Sequence, residues 1–124
     1  MSDTAIFASV DRIQLQQVLV NLVVNAIEAL RPLTHRPRRL RIGSGRDADR
    51  FVTVRIEDEG IGLGEQVIDR MFDAFFSTKP DGMGLGLSIS REIIHAHGGT
   101  LHAARNDLHG MTMTFSLPAS GQLQ

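Results

Sequence analysis

The sequence predicts an α+β domain in which a single sheet of about five strands is covered on one face by helices. Three observations predict it. The strand-like runs cluster instead of alternating strictly with helices. The later strands alternate, Val52, Val54 and Ile56 against Thr53, Arg55 and Glu57, whereas strands buried on both faces show continuous apolar runs. The chain also has 124 residues with 42% hydrophobic and 22% charged side chains, enough for one domain with a real core.

The elements follow in order. Residues 5–10 read as a short strand, with Ile6, Ala8 and Val10 on one face. Asp11 is then a helix N-cap, and Gln14 stands three residues later as in a capping box. An apolar stripe of Leu15, Val18, Leu19, Leu22, Ala26, Ile27 and Leu30 carries the helix to Leu30, where Pro32 stops it. A narrow polar stripe runs beside it: Gln14, Gln17, Asn21, Asn25 and Glu28. Residues 31–39 form a basic, proline-containing connection, read as a solvated loop. Residues 40–44 and 51–57 make a hairpin around the polar turn 45–50. Glycines at 60, 62 and 64 end the second strand. A short helix over 65–71 follows, and another over about 85–97 ends at the C-cap signal Gly98-Gly99. Residues 100–105 and 111–117 form a last hairpin around 106–110, and 119–124 are a frayed tail.

Composition excludes several classes. A net charge of -1 gives no reason to expect nucleic acid or an anionic membrane surface as partner. There are no cysteines, so disulfides and thiolate metal sites are excluded. No apolar run is read as long enough to span a membrane, and no signal peptide pattern opens the chain. A cytoplasmic domain cut from a larger, membrane-anchored parent is the expectation. The isolated domain, with its core over about 5–118, is expected to be a monomer.

The chemistry gathers in three stretches. Residues 71–90 hold Phe72, Phe75 and Phe76, then Lys79 and Pro80, then the alternating Gly82, Gly84 and Gly86 before an apolar-periodic run. Glycines let backbone N–H groups approach a bulky ligand, and a helix starting just after them points its positive end at the same spot. Together they suggest a phosphate cradle. Asn21 and Asn25, four apart, share one helix face, and carboxamide oxygens are hard donors suited to Mg²⁺. Asp58 ends a strand at a glycine-rich turn, where a carboxylate can accept from an exocyclic amine such as adenine's. Gly60 and Gly62 would let a flat ring lie against the backbone. Each stretch alone also has an ordinary reading, as a helix cap, a solvated stripe and a common Asp-Gly turn. The two standard nucleotide fingerprints, the P-loop and the dinucleotide glycine motif, do not fit.

In order, N-L-V-V-N-A (21–26), D-E-G-I-G (58–62), F-x-x-F-F (72–76) and G-M-G-L-G-L (82–87) resemble the N, G1, F and G2 boxes of histidine kinases. Those boxes belong to the ATP-binding domain of the gyrase, chaperone, kinase and mismatch-repair ATPase superfamily. The resemblance runs from about residue 11 to 117, and F-F-S-T-K-P-D-G-M-G-L-G-L-S-I resembles kinases of the dicarboxylate- and oxygen-sensing type. It implies a two-layer α/β sandwich of the Bergerat type. The mixed, roughly five-stranded sheet would carry three helices on one face, with ATP between the helices and a mobile lid over 77–83. By the same resemblance, Asn25 is the Mg²⁺ ligand, while Asn21 and Lys79 act at the phosphates. Asp58 is the adenine-binding carboxylate, with Gly60 and Gly62 beside the base. Phe72, Phe75 and Phe76 hinge and pack the lid. Gly82, Gly84, Leu85, Gly86 and Leu87 form the G2 box, and Ser88 contacts phosphate. Glu59 stands where many relatives have asparagine.

The implied activity is transfer of the γ-phosphate of Mg²⁺–ATP to a histidine on a separate dimerisation and phosphoacceptor domain, upstream of a response regulator. Hydrolytic members of the superfamily place a glutamate one turn before the Mg²⁺ asparagine. Here that position is Asn21, which cannot act as a general base and so favours transfer over hydrolysis. None of His35, His95, His97, His102 and His109 lies in the H-E-[LI] context of a phosphoacceptor. For His95 and His97 a position near a helix end is reason enough. The alternatives are a protein serine kinase of the anti-sigma-factor type and a non-catalytic ATP-binding regulatory module.

Overall fold

The computed structural model describes residues 11–47, 50–62, 64–73, 86–107 and 109–119. Helix α1 spans Arg12–Leu30, strands β1 and β2 span Leu40–Asp47 and Phe51–Asp58, and helices α2 and α3 span Glu65–Arg70 and Gly86–Ala96. Strands β3 and β4, Thr100–Arg105 and Met111–Pro118, close the chain. The strands form one sheet in the order β1-β2-β4-β3, antiparallel at every junction. This is the predicted α/β sandwich, but the sheet, expected to be mixed, is antiparallel throughout among the described residues, because its neighbours β1/β2 and β3/β4 are joined as hairpins. Four strands are present among the described residues, and the expected strand over 5–10 lies outside them.

Pleating sorts the side chains. Val54, Ile56 and Asp58 of β2 share a face with Phe115 and Met113 of β4 and with Leu101 and Ala103 of β3, because these residues pair across the ladders. The helices cover that face. Val18, Leu22 and Ala26 of α1 join Ile93 and Ile94 of α3, Ile56, Leu101 and Phe115 in one buried cluster. Each large apolar side chain sealed there contributes roughly 1.5–3 kcal/mol. The opposite face carries Arg55, Glu57, Thr112, Thr114, Ser116 and His102, and remains partly or fully wet. The Arg41–Glu57 pair on it, 3.9 Å apart and mostly exposed, adds little.

Local signals explain the ends. Asp11 Oδ1 accepts the Gln14 N–H at 3.0 Å, so the N-cap forms. The second arm of the expected capping box is absent in that form: the Asp11 N–H donates to His97 Nε2 at 3.1 Å. At the end of α3, Gly98 adopts φ +83 and its N–H donates to His95 O, while the Gly99 N–H reaches Ile94 O. This Schellman arrangement is what the Gly98-Gly99 pair signalled.

Four expectations need correction. The hairpin ladder runs further than predicted, since Asp47 pairs with Phe51 and little is left for the turn. Ile27 is 46% exposed, because it sits about 100° round the helix from buried Ala26, at the edge of the stripe. Helix α1 is long and apolar enough to cross a membrane by length and composition, contrary to the reading that no such run exists. Its Val18, Leu22, Ala26 and Leu30 are buried in the domain, so here the apolarity serves the core. Finally, the 31–39 connection is not merely solvated, as the site shows.

Candidate functional site

Three segments carry the described residues of the predicted site. The first is the middle of α1, where Asn21 and Asn25 are both half-buried. Asn21 Nδ2 donates to Gly86 O at 3.2 Å and to Ser90 Oγ at 3.1 Å. One asparagine therefore ties α1 to the opening turn of α3, with Ser90 completely buried. Such an amide in an apolar helix is stable because its donors are used.

The second segment is the loop leaving β2. Asp58 is 4% exposed, and its Oδ1 accepts the Gly60 N–H at 2.9 Å. Burial raises its pKa above the ordinary carboxylate value, opposed by N–H donors of Gly60 and Met111 and assisted by the charge of Glu57. Gly60 has its own steric reason: a Cβ there would lie 2.5 Å from Ala29 O, at the last turn of α1. The Ile61 N–H donates to that same carbonyl at 3.1 Å. The loop is thus docked on α1 one turn beyond Asn25. Gly62 faces open space.

The third segment packs the start of the expected lid. Phe72 is half-buried against the core, and the Arg91 guanidinium lies 4.5 Å from its ring centroid. Leu87 packs against the same core, and Ser88 is half-buried. Phe75, Phe76, Lys79, Gly82, Gly84 and Leu85, with the lid expected over 77–83, lie outside the described residues.

Beside the Asp58 loop opens a cleft of about 870 Å³, bounded by Arg36, Gly60, Gly62, Ile68, Asn106 and Gly110. None of Asn21, Asn25, Asp58, Phe72 and Ser88 bounds it, so it adjoins the predicted site through Gly60 and Gly62 without enclosing it. Residues the sequence did not single out complete its frame. Arg36 donates to Glu59 O and, at 3.1 Å, to Gly60 O. Asn106 Nδ2 donates to Asp58 O at 3.0 Å. Gly110, at φ +82, has its missing Cβ 2.0 Å from Asp58 O and 2.8 Å from Asp58 Oδ1. Arg36 could have been suspected only from its place in a basic run, and Asn106 and Gly110 only as turn residues.

With this geometry in place, comparison with known proteins is decisive. The sequence model of the histidine kinase-, DNA gyrase B-, and HSP90-like ATPases matches residues 10–121. The chain belongs to that family. Within this ATPase family it is of the sensor histidine kinase kind. It is 46% identical over 112 residues to the sensor protein FixL of Bradyrhizobium diazoefficiens, covering 90% of this chain and 22% of FixL. It is 39% identical over 110 residues to the C4-dicarboxylate transport sensor protein DctS of Rhodobacter capsulatus, covering 87% of this chain and 16% of DctS. This ATPase domain thus spans about a fifth of the length of such relatives. The solved catalytic domain of the histidine kinase ThkA, in a nucleotide-free form, superposes with a TM-score of 0.76 at 37% identity. That match covers 90% of this chain and 70% of ThkA's. Full-length ShkA in complex with AMPPNP matches with a TM-score of 0.76 at 25% identity over 90% of this chain and 22% of its own.

Proposed function

We propose that this domain binds Mg²⁺–ATP and presents the γ-phosphate to a histidine on a separate acceptor domain, as the catalytic part of a two-component sensor kinase. The observation that carries the reading is the state of Asn21. It stands one turn before Asn25, where a hydrolytic relative carries a base, and its Nδ2 donates to Gly86 O and Ser90 Oγ. An amide so placed braces the phosphate end of the site and activates no water. The naming of FixL and DctS as sensor proteins and of ThkA as a histidine kinase supports the same reading.

The roles follow. Asp58 accepts from the exocyclic amine of adenine, with Gly62 leaving room for the ring. Asn25 offers one hard oxygen to Mg²⁺. Mg²⁺ keeps several waters and takes its remaining ligands from the phosphates, so one carboxamide oxygen from the protein suffices. When bound, Mg²⁺ supplies neutralisation of phosphate charge. Lys79 adds a second cation, and the glycines at 82, 84 and 86 with Ser88 line the phosphates. Transfer breaks the bond from the γ-phosphorus to the ADP oxygen and forms one to the acceptor nitrogen, so positioning carries most of the work. The acceptor histidine stands on a separate domain, and a response regulator takes the phosphoryl group downstream.

Calorimetric titration with a non-hydrolysable ATP analogue, with and without Mg²⁺, tests this. Binding should vanish in Asp58→Ala and lose its Mg²⁺ dependence in Asn25→Ala. Mixed with a helical acceptor domain and ATP, the protein should yield an acid-labile, base-stable phosphoryl product. An acid-stable product would indicate a serine kinase, and no binding at millimolar nucleotide would overturn the reading altogether.

A further inference from the structure

We infer that Asn106 is a positioning residue for recognition of the base, acting through the main chain of Asp58. The inference rests on the assignment of Asp58 to adenine. Its starting point is where β2 ends. Beyond Asp58 the ladder stops, so the carbonyls of the next residues need partners from elsewhere. Asp58 O takes Asn106 Nδ2 at 3.0 Å, from a residue 48 positions further along the chain.

Asn106 is built as a strut and not as a ligand. Its second Nδ2 bond goes to His109 O at 2.9 Å, and its Oδ1 accepts the Thr112 hydroxyl. Its own N–H donates to Gly110 O at 2.9 Å. Both amide hydrogens are therefore committed inside the protein, and none remains to donate to a nucleotide. On the other side Gly110 presses against Asp58 O so closely that no side chain would fit. The peptide after Asp58 is gripped between the two. Its orientation sets where the carboxylate lies and keeps the Gly60 N–H on Oδ1. A carboxylate that must meet an exocyclic amine in one geometry needs such a fixed base, because an angular error weakens the bond steeply. The turn that supplies the strut also lines the cleft beside the Asp58 loop, together with Gly60 and Gly62.

The test compares two ligands: ATP, and purine riboside triphosphate, which lacks the exocyclic amine. Wild type should prefer ATP. In Asn106→Ala that preference should shrink about tenfold, while affinity for the amine-free nucleotide changes by less than about twofold. Thr112→Val frees Asn106 Oδ1 without emptying the turn, and should move the ratio in the same direction by less. A purely structural role predicts instead that both nucleotides weaken together and the ratio stays, which overturns the inference. Should Asn106→Ala fail to fold, an unchanged ratio in Thr112→Val overturns it alone. A wild type that binds both ligands equally removes the assignment of Asp58, and the inference with it.

Discussion

Asp58 combines burial with a charge, and its energetics set a measurable pH dependence. Its pKa is raised in the fold, so the folded domain binds that proton more tightly than the unfolded chain does. The stability from this group is fully present below the ordinary carboxylate pKa and is lost as pH rises through the raised value. Nucleotide acts in the opposite sense, since the exocyclic amine donates to the ionised form. Two outcomes are expected. Binding should weaken as pH falls through the raised pKa, and calorimetry in buffers of different ionisation enthalpy should show proton release near it. Asp58→Asn should abolish both the release and tight binding, while leaving the empty domain at neutral pH at least as stable as wild type. Proton uptake on binding would contradict the assignment. The position of this carboxylate at a strand end was legible in the sequence. Its burial was not, because the groups that enclose it, the Met111 N–H, Gly110 and Asn106, come from a turn some fifty residues later.

Between elements, the decisive contacts are polar and few. Helices α1 and α3 meet through apolar packing, but Asn21 fixes their relative position by bonding Gly86 O and Ser90 Oγ. At the other end, His97 takes the Asp11 N–H on Nε2, and its Nδ1 then carries the proton toward Ile93 O, 2.8 Å away. The helix-end histidine thus serves as a tie between α3 and the start of α1, a more specific role than the favourable dipole contact its position suggested. A double-mutant cycle of Asn21→Ala and Ser90→Ala should give a coupling of about 0.5–1.5 kcal/mol in chemical denaturation. Asn21→Ala alone leaves a buried hydroxyl short of a partner and should cost about 1–3 kcal/mol. Additive single effects would show that the helices are held by packing alone. Helix limits were readable because caps and periodicity are local: Asp11, Pro32, Gly98 and Gly99 each mark an end within a residue or two. The Asn21–Ser90 bond was not readable, since Ser90 sits on the apolar face of α3 and looks like a small core residue.

Across the whole molecule, one layer of side chains serves both sheet and helices, and this bears on how the site can fail. Phe115 is 1% exposed, lies between Val54 and Leu101 in the ladder, and belongs to the same cluster as Leu22 and Ile94. No part of the described domain has a core of its own, so unfolding should be a single cooperative transition. Phe115→Ala opens a cavity under both long helices and should cost about 3–5 kcal/mol, a large share of what a domain of this size possesses. The hydrogen bonds of Asn21 go to Gly86 and Ser90 and that of Asp58 Oδ1 comes from Gly60, none of them involving Phe115, so the folded fraction should bind nucleotide with nearly wild-type affinity. Mg²⁺–ATP at a hundred times its dissociation constant should then restore about 2.7 kcal/mol by mass action. Denaturation followed by circular dichroism, with and without nucleotide, measures both quantities. A loss without ligand rescue would mean that the core shapes the site directly. Two separate transitions would mean that the helical layer and the sheet stand independently, and the shared core would then no longer explain how the three site segments are held together.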